Sequence, residues 1–513
     1  MTNRITGLNS GLDTESLITA LTQTYQTRVD KQTGGQTRLS WKQDVWKSTN
    51  KNIVSFYNGT LSEMRFSSAF NKKTTKSSSS AVSVSTGENA MLATSTVSKT
   101  SLAKSSYLTG NKVYKDGTAD LASKDTTMSE LGITEDTTIS FNMGGTTDGS
   151  DVLSITIGAN DTMSDVVSKL NSATSTSGLG ITANYDANQG RLYITSENTG
   201  LANAFSVDSS TGASALSALG INTNELESAS QYQSAADAEL VMNGVSYTSS
   251  SNTFEVNGLT ISINSSTDDE FTITTSNDTS GVYDMVKEFL SGYNTLIQKL
   301  DTLYNADKAD NYDILTSDQK EEMTEDEITD WNAKIKAGLL AKDSTLYSVI
   351  NALKNSMGSG FTVTDSSGNT STWYLSTLGI NTKGYFDAEE NERGTYHIDG
   401  DSDDDYSGSN TDKLAAAIAS DPNAVSSFFT QLSREVYTQL GNLMKGTTYS
   451  SAYTVYEDKL MASQYSDYNT KISEAEDALE KKQDYYYSKF SAMETALSKL
   501  NSNSSSLSSM LGS

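Results

Sequence analysis

The run Tyr465-Ser-Asp-Tyr-Asn-Thr-Lys-Ile472-Ser-Glu-Ala-Glu-Asp-Ala-Leu479-Glu-Lys-Lys-Gln-Asp-Tyr-Tyr486 carries an apolar residue at every seventh position, and Met493, Leu500 and Leu507 continue it. Phe490, Leu497 and Leu511 fill the alternate position of the same heptad. A period of 3.5 residues held over such a length predicts a coiled-coil seam and not merely an amphipathic helix. Upstream, the alternate position holds Asn469, Glu476 and Gln483. The seam is therefore expected to be marginal alone and suited to folding on a partner.

The opposite end of the chain also reads as helix. Asp13 is a good N-cap, with Glu15 in the first turn, and Leu17, Leu21 and Tyr25 follow on one face. Gly34-Gly35 is expected to interrupt the pattern. A second apolar series follows at Leu39, Trp46, Ile53 and Phe56.

Between Lys76 and Ser280 the period changes to two. Ala81-Val-Ser-Val-Ser85, Leu153-Ser-Ile-Thr-Ile157, Arg191-Leu-Tyr-Ile-Thr195 and Leu259-Thr-Ile-Ser-Ile263 read as half-buried antiparallel strands, with hairpin turns at Asn243-Gly244 and Asn257-Gly258. One short helix, Thr162 to Ser172, breaks this region. Helical pattern returns from Val282 to Tyr304, and the chain's only proline, Pro422 behind Asp421, marks a helix start that leads through Leu432 and Tyr437. Leu131-Gly-Ile133, Leu219-Gly-Ile221 and Leu378-Gly-Ile380 repeat one tripeptide, best read as a common helix exit through glycine.

The layout is nested, with helices outside and strands inside. It predicts a multidomain α+β chain in which terminal helices form a coiled-coil or helical stalk and β-rich domains are inserted. The expected divisions are 1–40 with 465–513 (terminal coiled coil), 41–76 with 280–464 (helical-bundle stalk), 77–110 with 232–279 (β-rich) and 111–231 (outer β-rich). The expected interface is the seam: Leu17, Leu21 and Tyr25, then Trp46, Ile53 and Phe56 on the first helix. On the last helix it comprises Ile472, Leu479, Tyr486, Phe490, Met493, Leu497 and Leu500.

Composition narrows the function. The 513 residues carry 37 Lys and Arg against 64 Asp and Glu, a net charge of −27. That balance disfavours nucleic acid and anionic membrane surfaces, whose phosphates need cations. With no cysteine, disulfides and thiolate metal sites are excluded. No apolar run reaches the roughly 18 residues of a membrane span, so no membrane insertion is expected. Met1 to Ala20 lacks the pattern of a cleavable secretory signal, which fits either a cytoplasmic chain or export by a route independent of such signals.

Chemical sites are tempting but weak. His397, the single histidine, lies in the strand pattern Tyr396-His-Ile-Asp399 with no nucleophile elbow to serve, so a structural role is expected. Asp399-Gly-Asp-Ser-Asp-Asp-Asp405 imitates a calcium loop but has Asp404 where glycine belongs and Asn410 where glutamate belongs. The acidic run Asp318 to Asp330 reads as a solvated helix face, with Trp331 packing under it. Tyr485-Tyr-Tyr487 widens the seam. There is no phosphate loop, CxxC pair, HExxH or dinucleotide fingerprint, so no enzyme, cofactor, catalytic residue or metal site is expected.

Gly7-Leu-Asn-Ser-Gly-Leu-Asp-Thr-Glu15 and Trp41-Lys-Gln-Asp-Val-Trp46 resemble the N-terminal signature of the flagellar filament cap (hook-associated protein 2) family. Ile155 to Val207, with Ile194-Thr-Ser-Glu-Asn-Thr-Gly200 inside it, resembles a module shared by flagellins and caps. Leu315 to Trp331 continuing to Gly338-Leu339, Leu378 to Val425, and Lys482 to Leu500 are similar to further family segments. Asn111 to Thr147 has no such likeness. The resemblance implies a protein exported by the flagellar type III route, placed outside the cell at the filament tip. It implies a ring of copies, often a pentamer, that guides flagellin into the lattice. Its partners would be flagellin, further copies of itself, hook–filament junction proteins and an export chaperone on the C-terminal helix. A filament or hook–filament junction subunit, which would form open helical polymers, a surface adhesin with saturable binding to a host ligand, and a hydrolase are the competing readings.

Overall fold

The computed structural model describes residues 10–221 and 232–511. Gly7 to Asn9 of the opening signature, and Asn222 and Thr223 after the second Leu-Gly-Ile tripeptide, lie outside the described residues, as does the side chain of Leu511. The chain forms two compact units, one built from its two ends, Met1–Asn71 with Thr279–Ser513, and one from its middle, Lys72–Asp278.

The terminal unit is helical. Helix α1, Thr14–Asn58, starts on Asp13, whose carboxylate accepts from the Ser16 amide at 3.1 Å. Hydrogen bonds from the Ser16 side chain and backbone hold that carboxyl below its ordinary value. Gly34-Gly35 does not interrupt α1. A β-carbon at Gly35 would stand 2.8 Å from the Tyr468 ring. The glycine lets an aromatic ring of the last helix lie against the backbone, and packing across that contact outweighs the weak helix propensity of glycine.

Helices α2 (Thr279–Asn305), α3 (Ser344–Met357) and α4 (Pro422–Leu443) build the bundle beside the second half of α1. On α2 the buried positions Val282, Met285, Val286, Phe289, Tyr293, Leu296 and Leu300 keep the spacing of a single helical face. Helix α4 begins as its sequence predicts, with Asp421 capping the Ala424 amide at 3.0 Å and Pro422 in the first turn. Phe289, Phe428, Phe429, Trp46 and Ile53 are buried in the one core these helices share. Helix α5, Asp458–Leu511, is 54 residues long and returns along α1.

The middle unit is antiparallel throughout and holds two cores. In the first, a five-stranded sheet ordered Lys73–Ser77, Phe271–Asn277, Ala93–Ser101, Ala238–Met242, Val245–Ser249 accompanies a three-stranded sheet of Thr253–Val256, Leu259–Ile263 and Val82–Thr86. Val97, Leu240, Ile261 and Ile273 are buried in it. Both Asn-Gly hairpins form as expected, with φ of 52° and 79° at Asn243 and Gly244 and 50° and 76° at Asn257 and Gly258. The second core gathers a four-stranded and a three-stranded sheet and the helix Met163–Ser172 around Phe141, Leu153, Leu192, Ile194 and Phe205. Thr162 and Asp165 cap that helix reciprocally. All three Leu-Gly-Ile tripeptides are helix exits with the glycine left-handed, at φ 85° for Gly132, 77° for Gly220 and 69° for Gly379.

Candidate functional site: the paired terminal helices

Helices α1 and α5 run antiparallel, and their polar contacts fix the register. The Gln36 amide donates to Asn469 Oδ1 at 2.5 Å, the Tyr487 hydroxyl donates to Glu15 Oε2 at 2.6 Å, and Ser10 donates to Glu494. At the bundle end the register is anchored differently. The Trp46 ring stacks on Tyr456 at 5.3 Å with planes 7° apart, and Asn50 clamps the loop before α5 through the Tyr453 carbonyl and the Val455 amide, each at 3.0 Å.

The two halves of α1 differ in what they bury. Beyond the bundle, the buried residues are Thr14, Ile18, Thr22 and Val29. Thr22 survives burial because its hydroxyl donates to the Ile18 carbonyl at 2.8 Å. On α5 the buried Glu494 adds a carboxylate to the seam. Only two aliphatics, two threonines and a carboxylate are fully buried in this pair, and the apolar side chains along α5 are no more than half-buried, which places the pair towards the low-stability end of the molecule.

The expected seam residues divide into three groups. Leu17 and Leu21 are 39% and 47% exposed, because the side of α1 turned to α5 is the one bearing Ile18 and Thr22. Tyr25 is half-buried, with Arg28 stacked 5.5 Å from its centre. Trp46 and Ile53 are buried in the bundle core, and the half-buried Phe56 stacks against Phe289 at 5.8 Å. Ile472, Leu479, Tyr486, Phe490, Met493 and Leu497 are half-buried along α5, whereas Leu500 is 66% exposed.

Sequence reasoning missed Ile18, Val29, Tyr468, Ala475 and Lys482. The last three are half-buried one residue before Asn469, Glu476 and Gln483. Half-buried positions step by four and three from Tyr468 to Tyr486 but by four twice from Lys482 through Tyr486 to Phe490, a stutter that puts the upstream seam one residue before the phase set by Phe490 and Leu497. Tyr468, Ala475 and the aliphatic stem of Lys482 therefore line the upstream seam in place of Asn469 and Glu476, while Gln483 is half-buried beside Lys482.

The chemically tempting groups are engaged within the terminal unit. His397 Nδ1 lies 2.6 Å from Asp404 Oδ2, and Tyr406 covers the ring at 5.3 Å. Burial works to raise the Asp404 carboxyl, but His397 and the amides of Tyr406 and Ser407 hold it below its ordinary value. Lys287 donates to Asp401 and Asp403 at 2.7 Å each, and those hydrogen bonds hold its ammonium well above its ordinary value. The acidic run forms two short helices, Ser317–Glu321 and Glu325–Ala337, each opened by a capping box. Trp331 donates to the Asp313 carbonyl at 2.8 Å and meets the Tyr312 ring at 4.7 Å. Among the described residues no group of acidic or histidine side chains is placed to hold a metal ion, and no helix is long and apolar enough to cross a membrane.

Residues 235–502 match the family model of the flagellar hook-associated protein 2 C-terminus, residues 10–106 that of its N-terminus, and residues 138–198 the flagellin hook IN motif. Flagellar hook-associated protein 2 of Halalkalibacterium halodurans is 24% identical over 447 residues, 82% of this chain and 78% of that protein. Its counterpart in Escherichia coli is 25% identical over 514 residues, 98% of this chain and 96% of that protein. The crystal structure of the Escherichia coli flagellar cap protein superposes with a TM-score of 0.47 at 23% identity, covering 79% of this chain and 96% of the other. Because the C-terminal family model alone spans more than half of the sequence, and the N-terminal one takes in all of α1, the chain belongs to the flagellar hook-associated protein 2 family.

Proposed function

We propose that this chain is a filament cap: it assembles with further copies at the distal tip of the flagellum and promotes the insertion of flagellin. One observation carries the reading. The chain's two ends meet in a thinly buried helical pair that turns Leu17, Leu21, Tyr465, Tyr485 and Leu500 outward. Exposed apolar side chains on a marginal helical pair suit contacts that must break and reform as subunits insert beneath the cap. The family's curated members and its solved flagellar cap structures support this placement outside the cell, and a structural role in place of a catalytic one.

Several finer features belong to the same proposal. The ring is a pentamer, the cap sits on a filament joined to the hook through junction proteins, and an export chaperone holds α5 before secretion. The four-part division given by the sequence is retained, with the terminal coiled coil (1–40 with 465–513) as the docking element. Within it, Leu17, Leu21 and Leu500 meet other subunits, while Ile472, Leu479, Tyr486, Phe490, Met493 and Leu497 hold the pair together. The acidic balance, at a net charge of −27, keeps unassembled copies apart in solution.

The test is the double variant Leu17→Asp with Leu21→Asp. Both side chains are already largely in water, so the circular dichroism and melting temperature should stay at wild-type values. Promotion of filament growth from purified flagellin, measured as filament length by electron microscopy, should fall roughly tenfold. Undiminished growth would remove these residues from the docking face.

A further inference from the structure

Phe386 is 97% accessible and Tyr385 beside it 65%, in the loop between the strands Ile380–Thr382 and Tyr396–Ile398. Their rings meet edge to face at 5.4 Å. The loop is built to present them. Asp387 and Ala388 both donate backbone amides to the Gly384 carbonyl, at 3.0 and 3.1 Å, and Ala388 is buried. Arg393 lies 4.1 Å over the Tyr385 ring and donates to its hydroxyl at 3.3 Å. A β-carbon at Gly384 would stand 2.6 Å from the Asp387 carboxylate, so the absence of a side chain there lets that carboxylate fold back over the turn. A braced aromatic pair held out in water has the character of an interface anchor, and Asp387, Glu389 and Glu390 surround it with negative charge.

The same unit contains a matching recess. Between Val45–Thr60 and Glu288–Leu303, α1 and α2 leave two adjoining hollows of about 450 and 590 Å³. Phe56, Phe289 and Leu296 line the first, and Gly292 keeps it open, since a β-carbon there would stand 3.4 Å from the Phe56 ring. Lys299 borders both hollows and Glu288 the first, and Lys51 is exposed on the facing helix outside both linings.

Knob and recess lie on different sides of α2. The segment that follows the knob packs on the Asn294 and Ile297 side, where Asn294 Nδ2 donates to the Tyr396 carbonyl at 2.7 Å and Ile297 approaches Gly394. The recess is on the Glu288, Gly292, Thr295 and Lys299 side, roughly 160° round the helix at about 100° per residue. One copy cannot fill its own recess and offer its knob in a two-fold, self-complementary patch. A contact between unlike surfaces of identical chains is heterologous, and it builds a ring where the rotation closes and an open helix where it does not.

We propose that the Tyr385–Phe386 turn of one copy seats in the α1–α2 recess of a second copy, with Asp387, Glu389 and Glu390 facing Lys299 and Lys51, and that this contact builds the cap ring. The proposal rests on the self-assembly reading above. The chain has no cysteine, so engineered pairs report without background. Full-length Phe386→Cys and Thr295→Cys chains should form a disulfide dimer when mixed and oxidised, and neither should do so alone. A chain carrying both should give a ladder ending at one ring size. Phe386→Ala should weaken self-association at least tenfold by analytical ultracentrifugation, with an unchanged melting temperature. If the wild-type chain associates but the mixture does not cross-link, this contact is wrong and the ring reading stands. If the wild-type chain remains monomeric at every concentration, both fail. If Phe386→Ala associates normally yet no longer promotes flagellin assembly, the knob binds flagellin and the proposal is overturned.

Discussion

A chain ending at Ile472 will fail to promote filament growth while both compact units stay folded. Residues 473–511 make their polar contacts with the first turns of α1, through Tyr487 on Glu15 and Glu494 on Ser10. The bundle core draws on α5 only at its start, through Met461, and on the preceding Val455 and Tyr456. The middle unit, Lys72–Asp278, contains none of the deleted residues. The truncation therefore strips the partner from Thr14, Ile18 and Val29, and the first half of α1 should fray, since an isolated helix with so little apolar area is marginal in water. Filaments grown with the truncated chain should be no longer than those grown without any cap. The melting transition of the remainder should move by only a few degrees. Normal filament length would show that docking does not run through the terminal pair.

Trp46→Ala should produce the largest loss of stability of any single substitution on α1. The indole is 2% exposed and stacked on Tyr456, itself buried. Truncating a buried Trp costs about 3–5 kcal/mol, and the stacking is worth about 0.5–1.5 kcal/mol of its own. Against the roughly 5–15 kcal/mol that holds a typical domain, this is a large share. The same change cuts the join between α1 and the start of α5, so the terminal pair should lose its anchor as well. Urea unfolding followed by far-ultraviolet circular dichroism should show the helical transition shifted to lower denaturant by that amount. A change below about 1 kcal/mol would mean that Trp46 does not organise this junction.

The sequence made the architecture legible wherever a period ran unbroken. The seven-residue repeat from Tyr465 onward predicts one long helix, and α5 is one. Alternation and Asn-Gly turns predict the hairpins of the middle unit, which form with both turn residues at positive φ. The paired termini and inserted β-rich region follow from the same two periods. Failures arose where a distant residue decides a local question. Gly34-Gly35 reads as a breaker until Tyr468 is seen to need the space. Leu17 and Leu21 read as the buried face because leucine is more apolar than threonine. Threonine, however, satisfies its own hydroxyl on the helix and can be buried in a thin seam, which frees the leucines to face outward. Trp46 and Ile53 share the helix of the terminal pair but belong to the bundle core, a distinction set by α2 and α4 and invisible in the local pattern of α1. Phe386 carries no signal at all in the sequence, where one aromatic in an acidic loop is unexceptional. Only its near-total exposure on a braced turn sets it apart.

The claim on which the cap reading stands is that α1 and α5 beyond the bundle form a loosely held pair that gains order on other subunits. Hydrogen exchange read by mass spectrometry, comparing the full chain free and bound to filament ends, measures this directly. Residues 14–30 and 470–500 should exchange within seconds to minutes in the free chain and become strongly protected on filaments, while the bundle core around Phe289 and Phe428 exchanges slowly in both. Equal protection of the terminal segments in the two states, whether high or low, would contradict the account.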